Sequence, residues 1–212
     1  FWEQNMADLG QKITCRKCKR AYYNLNNVQL TCPYCAKDAL IPNGTIAILN
    51  MRIRPGGYSD KNLCLEEGLG TQAKSGAIYL RSLVTVINGP QKNKKFSLPI
   101  EISSQKNDYW QYKGRELIRE MLNSSQGLSS SDNSRKAVFG RMIHSYSVLN
   151  GLCFLGAIGI RKNQNGREEN NILRVLSVDD EEYKALVADK KFVPARKTLP
   201  PSEPNSATWR RI

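Results

Sequence analysis

The run from Ser75 to Ile102 constrains the fold most. Ala77 to Ile87 is crowded with β-branched, aromatic and aliphatic residues, Asn88-Gly89-Pro90 interrupts it, and an apolar-alternating run resumes near Lys95. That pattern predicts a long antiparallel hairpin. Its connection carries Lys92, Lys94 and Lys95, so the hairpin would lift a cationic tip off a buried sheet, a shape suited to gripping a polyanion.

The remaining elements fall on either side of it. Thr45 to Ile53 alternates as a strand and ends at Arg52 and Arg54. Pro55 to Gly76 is glycine-rich and reads as a long loop with a short strand near Leu63 to Leu65. Gln105 to Gln111 reads as another loop, ending in Tyr109-Trp110. Leu117, Ile118, Met121 and Leu122 recur at helical spacing between Tyr112 and Ser124. Ser129-Ser-Ser-Asp132 reads as a capping cluster for a second helix, through Ala137, Val138, Arg141 and Met142 to about Tyr146. Leu152 to Arg161 and Asn171 to Val178 read as strands joined through Asn163-Gln-Asn-Gly-Arg167, a hairpin turn. Ser177-Val-Asp-Asp180 then caps a short helix reaching about Ala188. From Pro194 the text turns to Pro, Ser, Asn and Arg and reads as an extended tail.

Three strands, helices, then two strands is the order of a five-stranded OB barrel, so the expected class is mainly β with helices, α+β. A generic five-stranded α+β sheet fits the same order. The expected domains are residues 1–40, an arm and a zinc ribbon; 41–190, an OB-like barrel with a helical insert at 112–146; and 191–212, an extended basic Pro-rich tail.

The ribbon rests on Cys15-Arg-Lys-Cys18 and Cys32-Pro-Tyr-Cys35. Two such knuckles, with a short hairpin between them, can place four thiolates tetrahedrally around one Zn²⁺. A set of Cys15, Cys18, Cys32 and Cys35 leaves no open coordination position, so the expected zinc is structural rather than catalytic. Cys64 and Cys153 stand alone, a usage that fits a reducing, cytoplasmic compartment better than a secreted disulfide framework. Between the knuckles, Tyr22-Tyr23-Asn24-Leu25-Asn26 resembles bacterial zinc ribbons that carry Phe-Tyr-Asp-Leu-Asn at this place, departing at Tyr22 and Asn24.

Charge narrows the partner. The 32 Lys+Arg against 19 Asp+Glu give +13 and a pI near 9.6, which biases the chain toward phosphates. No apolar run approaches the roughly 20 residues of a bilayer span, and no signal peptide is visible, so no membrane partner is expected. Single-stranded nucleic acid needs cations along the backbone path and flat side chains for base stacking. Arg52, Arg54, Lys74, Arg81, Lys92, Lys94, Lys95, Arg161, Lys162 and Arg167 are the candidates for the first. Tyr58, Tyr79, Phe96, Tyr109 and Trp110 are candidates for the second, with core packing the competing role for Tyr79 and Phe96.

Catalysis has no constellation behind it. The one histidine, His144, falls on an expected helix, Asp179-Asp-Glu-Glu182 sits at a helix start where acids stabilise the dipole, and no Gly-x-x-x-x-Gly-Lys loop occurs. The chain is therefore expected not to be an enzyme.

Arg54-Pro-Gly-Gly-Tyr58, Lys74-Ser-Gly-Ala-Ile-Tyr79, Asn88-Gly-Pro90 with Lys95-Phe96, and Gly114-Arg115 followed by Ile118-Arg119 and Leu122-Asn123-Ser124 resemble an uncharacterised group of phage and proteobacterial proteins of single-strand-binding, OB-type character. The resemblance runs from about Ile41 to Tyr183, with a Pro-rich tail carrying a Trp near its end, and departs at Gly70 to Lys74 and in the N-terminal ribbon. It implies single-strand binding, DNA ahead of RNA, in replication or recombination of a phage or mobile element. The alternative is a zinc-ribbon scaffold subunit of a larger protein or ribonucleoprotein assembly, docking through the tail that carries Trp209.

Overall fold

The computed structural model describes residues 11–15, 19, 21–24, 40–56, 68–104, 108–163, 165–195 and 210–211. The chain forms two compact units, Phe1–Leu40 and Ile41–Ile212.

In the first unit, β1 (Gln11–Thr14) pairs antiparallel with β2 (Ala21–Asn24), Thr14 opposite Ala21. The Lys19 N–H donates to the Cys15 carbonyl at 2.9 Å, and Lys19 adopts φ 58°. The expected hairpin lay between the two knuckles, whereas this ladder straddles the first. Cys18, Cys32 and Cys35 lie outside the described residues.

The second unit is a mixed α+β body on a mostly antiparallel, open sheet. β3 (Thr45–Ile53) pairs with β5 (Ile78–Val86) on one side and with β8 (Cys153–Lys162) on the other. β6 (Lys95–Ser103) runs along the far side of β5, and β9 (Glu168–Leu176) along the far side of β8. The principal order is thus β6-β5-β3-β8-β9. β6 and β9 share no hydrogen-bonded ladder among the described residues, so the expected closure into a barrel is not present as a fifth seam.

Several expected boundaries shift. The loop expected from Pro55 to Gly76 contains β4 (Gly70–Gln72), which pairs with the start of β5 on the side that β3 has left. Its three residues are too few for a periodic signal, and Leu63 to Leu65 lie outside the described residues. Helix α1 (Asp108–Gln126) starts four residues before the expected Tyr112. The apolar spacing begins only at Leu117, but Asp108 opens the first turn and accepts a 2.6 Å hydrogen bond from the Gln111 amide, extending the helix through polar and aromatic residues. The second helix, α2 (Arg135–Arg141), is capped by Ser134 accepting from Ala137 N–H. The Ser129 to Ser131 run instead clasps Asp179, whose Oδ2 accepts from the Ser129 and Ser130 hydroxyls and the Ser130 N–H.

Beyond α2 the chain is not helical through Tyr146. It forms β7 (Met142–Ile143) and a 3₁₀ turn at Tyr146–Leu149. His144 therefore lies exposed between these two elements and not on a helix. The last helix, α3 (Glu181–Ala188), follows Asp180 as expected. In the expected free tail, β10 (Arg210–Arg211) pairs antiparallel with β7, Arg210 opposite Ile143.

Alternation divides the sheet into two faces. One face turns Leu49, Met51, Ile53, Leu80, Val84, Phe96, Leu98, Ile100, Phe154 and Ile158 into the main core, under Ile118, Met121 and Leu122 of α1. On the other face, Ile48, Leu155, Ala157 and Leu176 pack under Tyr183 and Phe192 at α3. Among the described residues that cover reaches only the β3-β8-β9 side and leaves the outer surface of β5 and β6 bare.

One side chain holds the entry to β3. Buried Asn170 accepts from the Ile41 N–H at 2.9 Å and donates to the carbonyls of Ile41 at 2.8 Å and Gly159 at 3.1 Å, acting as an extra rung of ladder.

Candidate nucleic-acid interface

The bare surface collects the expected cations by strand parity. Arg52 is opposite Leu83, which is opposite Ser97; Arg81 is opposite Pro99, Thr85 opposite Lys95, and Tyr79 opposite Glu101. Paired positions share a face, so Arg52, Arg81, Lys95 and Tyr79 stand on one side of the sheet. Arg52, Arg81 and Lys95 are exposed, and Arg54 follows at the end of β3 with its N–H on the Arg81 carbonyl at 2.8 Å. The six residue steps from Lys95 to Glu101 give this face a length of about 20 Å.

At the Glu101 end the face opens into a cleft of about 450 Å³. Its walls include Tyr79, Pro99 and Glu101 from β5 and β6, Trp110, Lys113, Gly114 and Leu117 from α1, and Arg161, Asn171 and Ile172 from β8 and β9. The α1 residues recur at steps of three and four, which is one side of a helix. This cleft lies where β6 and β9 fail to pair. It joins Tyr79, Trp110 and Arg161, which come from three separate parts of the sequence.

Trp110 was expected in a loop. It occupies the first turn of α1, 57% exposed, with Tyr109 edge-on to its ring at 5.2 Å between centroids. Tyr112 is 61% exposed, and Lys113 Nζ lies 5.9 Å from the centre of its ring. These rings are unusual on a helix surface, where exposed aromatics gain nothing from burial. Tyr79 is half-buried; burial first, and then its hydrogen bond to the Glu101 carboxylate, push its phenol above the ordinary tyrosine value.

The remaining expected residues separate into turns and core. Lys92 and Lys94 lie in the β5–β6 connection, Lys74 in the β4–β5 turn, and Lys162 and Arg167 flank the β8–β9 turn, where Gly166 takes φ 72°. Lys92, Lys74, Lys162 and Arg167 are exposed. Phe96 is not available for stacking. It is 7% exposed, because its parity in β6 places it with Leu98, Ile100 and Ile102 in the core. Tyr58 lies outside the described residues.

Acids temper part of this charge. Arg161 pairs with Glu169 across the β8–β9 hairpin at 2.9 Å, and Lys113 pairs with Glu116 at 2.7 Å. The acidic run at α3 is committed elsewhere: Asp180 and Glu182 both bind Arg174, at 2.5 and 2.9 Å, while Asp179 takes the Ser129–Ser130 contacts. Serine hydrogen bonds, the Ser130 N–H first, hold the Asp179 carboxyl below the ordinary range. Among the described residues no group of three or more His, Cys, Asp or Glu side chains is placed to hold a metal ion.

Lys113 and Glu101 were missed in the sequence. The signal lies in the helix start: with Asp108 opening α1, the Trp110, Lys113, Gly114, Leu117 spacing puts a ring and a cation on one helix side. Nothing local marks Glu101, which is brought into the cleft only by its cross-strand pairing with Tyr79 and the approach of α1.

Fold and surface thus define a mixed α+β protein on an open antiparallel sheet, with one bare cationic face leading to an aromatic cleft. Residues 5–46 match the family model described as a protein of unknown function, FYDLN_acid, which covers most of the first unit and the entry to β3. No curated protein matches the chain. No helix among the described residues is long and apolar enough to cross a membrane.

Proposed function

We propose that the chain is a non-enzymatic protein that binds single-stranded nucleic acid, DNA ahead of RNA, on an OB-type sheet left open between β6 and β9. The observation that carries this reading is the bare face, which runs from Lys95 past Arg81 and Arg52 to the cleft of Tyr79, Trp110 and Arg161. A path of cations ending at exposed rings suits a flexible polyanion with unstacked bases, whereas duplex DNA hides its ring faces. The strand connectivity supports the same reading: β6-β5-β3-β8-β9, with the helices between the third and fourth of these five in sequence, is the OB order. Replication or recombination of a phage or mobile element is the setting that the text resemblance suggests.

The first unit would hold a structural zinc through Cys15, Cys18, Cys32 and Cys35. The hydrogen bond from the Lys19 N–H to the Cys15 carbonyl, just past the end of β1, suits a Cys-x-x-Cys knuckle, and four thiolates suit tetrahedral Zn²⁺. Its contribution would be to folding.

The rival scaffold reading needs a tail free to dock elsewhere, and the β10–β7 ladder ties Arg210–Arg211 to the chain's own domain. Anisotropy titration with labelled single-stranded DNA, single-stranded RNA and duplex at two salt concentrations tests the proposal. Single strands should bind tightest, with log K falling by about 0.7 per neutralised phosphate for each unit of log salt. Salt-independent binding, or none, would overturn it.

A further inference from the structure

One carboxylate in the cleft does not fit phosphate binding. Glu101 stands on the face that carries Arg52, Arg81 and Lys95, where an acid weakens attraction for a backbone. The other acids beside the cleft cations are accounted for, Glu116 by Lys113 and Glu169 by Arg161. Glu101 makes no ion pair among the described residues. It stands directly opposite Tyr79 across the β5–β6 ladder, and both line the cleft.

An ionised carboxylate only accepts hydrogen bonds, so its partner must donate. Of the groups on an unpaired base, the exocyclic amines of cytosine, adenine and guanine donate, while the corresponding positions of thymine and uracil present carbonyl oxygens. A volume of about 450 Å³ falls within the range of small-ligand sites and accommodates a base with its sugar. Trp110 offers the ring for stacking, and Lys113 from α1 and Arg161 from β8 add cations to the cleft lining for the neighbouring phosphates.

We propose that this cleft seats one unpaired base bearing an exocyclic amino group, stacked on Trp110 and read by Glu101, so that the protein discriminates against thymine and uracil at that position. The inference rests on the single-strand reading above and adds a base preference to it. Cytosine is the best fit, since carboxylates accept from its N4 amine. Tyr79, the cross-strand neighbour of Glu101, acts as its positioning residue.

The test is anisotropy titration of the full chain with labelled oligo(dT) and with the same oligomer carrying dC in its central third. The wild type should bind the dC-containing strand on the order of tenfold tighter. Glu101→Gln, which keeps the shape but adds an amide donor, should abolish that preference while oligo(dT) affinity holds or rises. Trp110→Ala should weaken both strands. Equal wild-type affinity for the two strands, or a preference that survives Glu101→Gln in a folded protein, would overturn the inference and leave the single-strand reading standing. Failure to bind either strand would overturn both.

Discussion

A Cβ on Gly114 would lie 1.8 Å from the backbone oxygen of Glu101. Helix α1 therefore crosses β6 with backbone against backbone, and that approach holds Trp110, one turn earlier, and the adjacent Lys113 in the lining of the cleft. Gly114→Ala cannot keep this geometry. Alanine should add up to about 1 kcal/mol of helix propensity but impose overpacking of about 1–3 kcal/mol, and the colliding atom is backbone with no rotamer to escape into. Urea denaturation should show net destabilisation, and single-strand affinity should fall as the helix moves outward. A variant as stable as the wild type would mean that α1 sits further from β6.

Asn170 replaces a missing rung for Ile41. Asn170→Ala removes three hydrogen bonds and leaves the Ile41 N–H buried without an acceptor. A loss of about 2–3 kcal/mol is expected, since an orphaned buried donor costs its desolvation. Thermal melts of the two proteins at matched concentration measure it.

Glu120 on α1 has its carboxyl pushed above the ordinary value, first by burial and then by Glu116, with Asp180 adding and Lys113 opposing. The folded state therefore binds this proton more tightly than the unfolded chain, and stability falls as pH rises from about 4.3 through the raised folded value. At pH 7 the penalty is fully present. Glu120→Gln removes it, so the variant should melt higher at pH 7, on the order of 1 °C, and match the wild type below about pH 4. A pH-independent difference would contradict the assignment.

Lys92, Lys94 and Lys95 cluster at and beside the β5–β6 connection, about 20 Å from the cleft. Reversing all three charges should weaken single-strand binding at low salt and flatten its salt slope by about 0.7 for each phosphate no longer neutralised. The dC preference proposed for the cleft should survive, because Glu101 and Trp110 are untouched. Unchanged affinity in a folded triple variant would move the phosphate path off this tip.

For the ribbon, metal analysis of protein purified without chelator should find one zinc per chain. Cys15→Ser should lower that content and loosen the β1–β2 unit, read as faster amide exchange at Gln11 to Thr14. A metal-free chain with those amides still protected would rule the ribbon out.

The strands of the second unit were legible wherever they were long. Ala77 to Ile87, Thr45 to Ile53 and the run after Leu152 carry enough alternating apolar residues to reveal both extension and parity, and parity alone places Arg52, Arg81 and Lys95 on one face. The same parity, followed strictly from Leu98, Ile100 and Ile102, assigns Phe96 to the core. Short or locally driven elements were hidden. β4 spans three residues, β7 and β10 span two each, and the first turns of α1 depend on Asp108 and Gln111 instead of an apolar stripe.

The sequence by itself determined the long strands, the cysteine spacing and the cationic balance, because alternation, turn chemistry and charge act over a few residues. Only the tertiary structure decided that β6 and β9 stop short of pairing, that α3 covers one half of the outer face, and that Tyr79, Glu101, Trp110 and Arg161 meet in one cleft. Those outcomes depend on how the sheet curls and how closely α1 approaches it, and groups more than 80 residues apart in the chain are brought together only by packing.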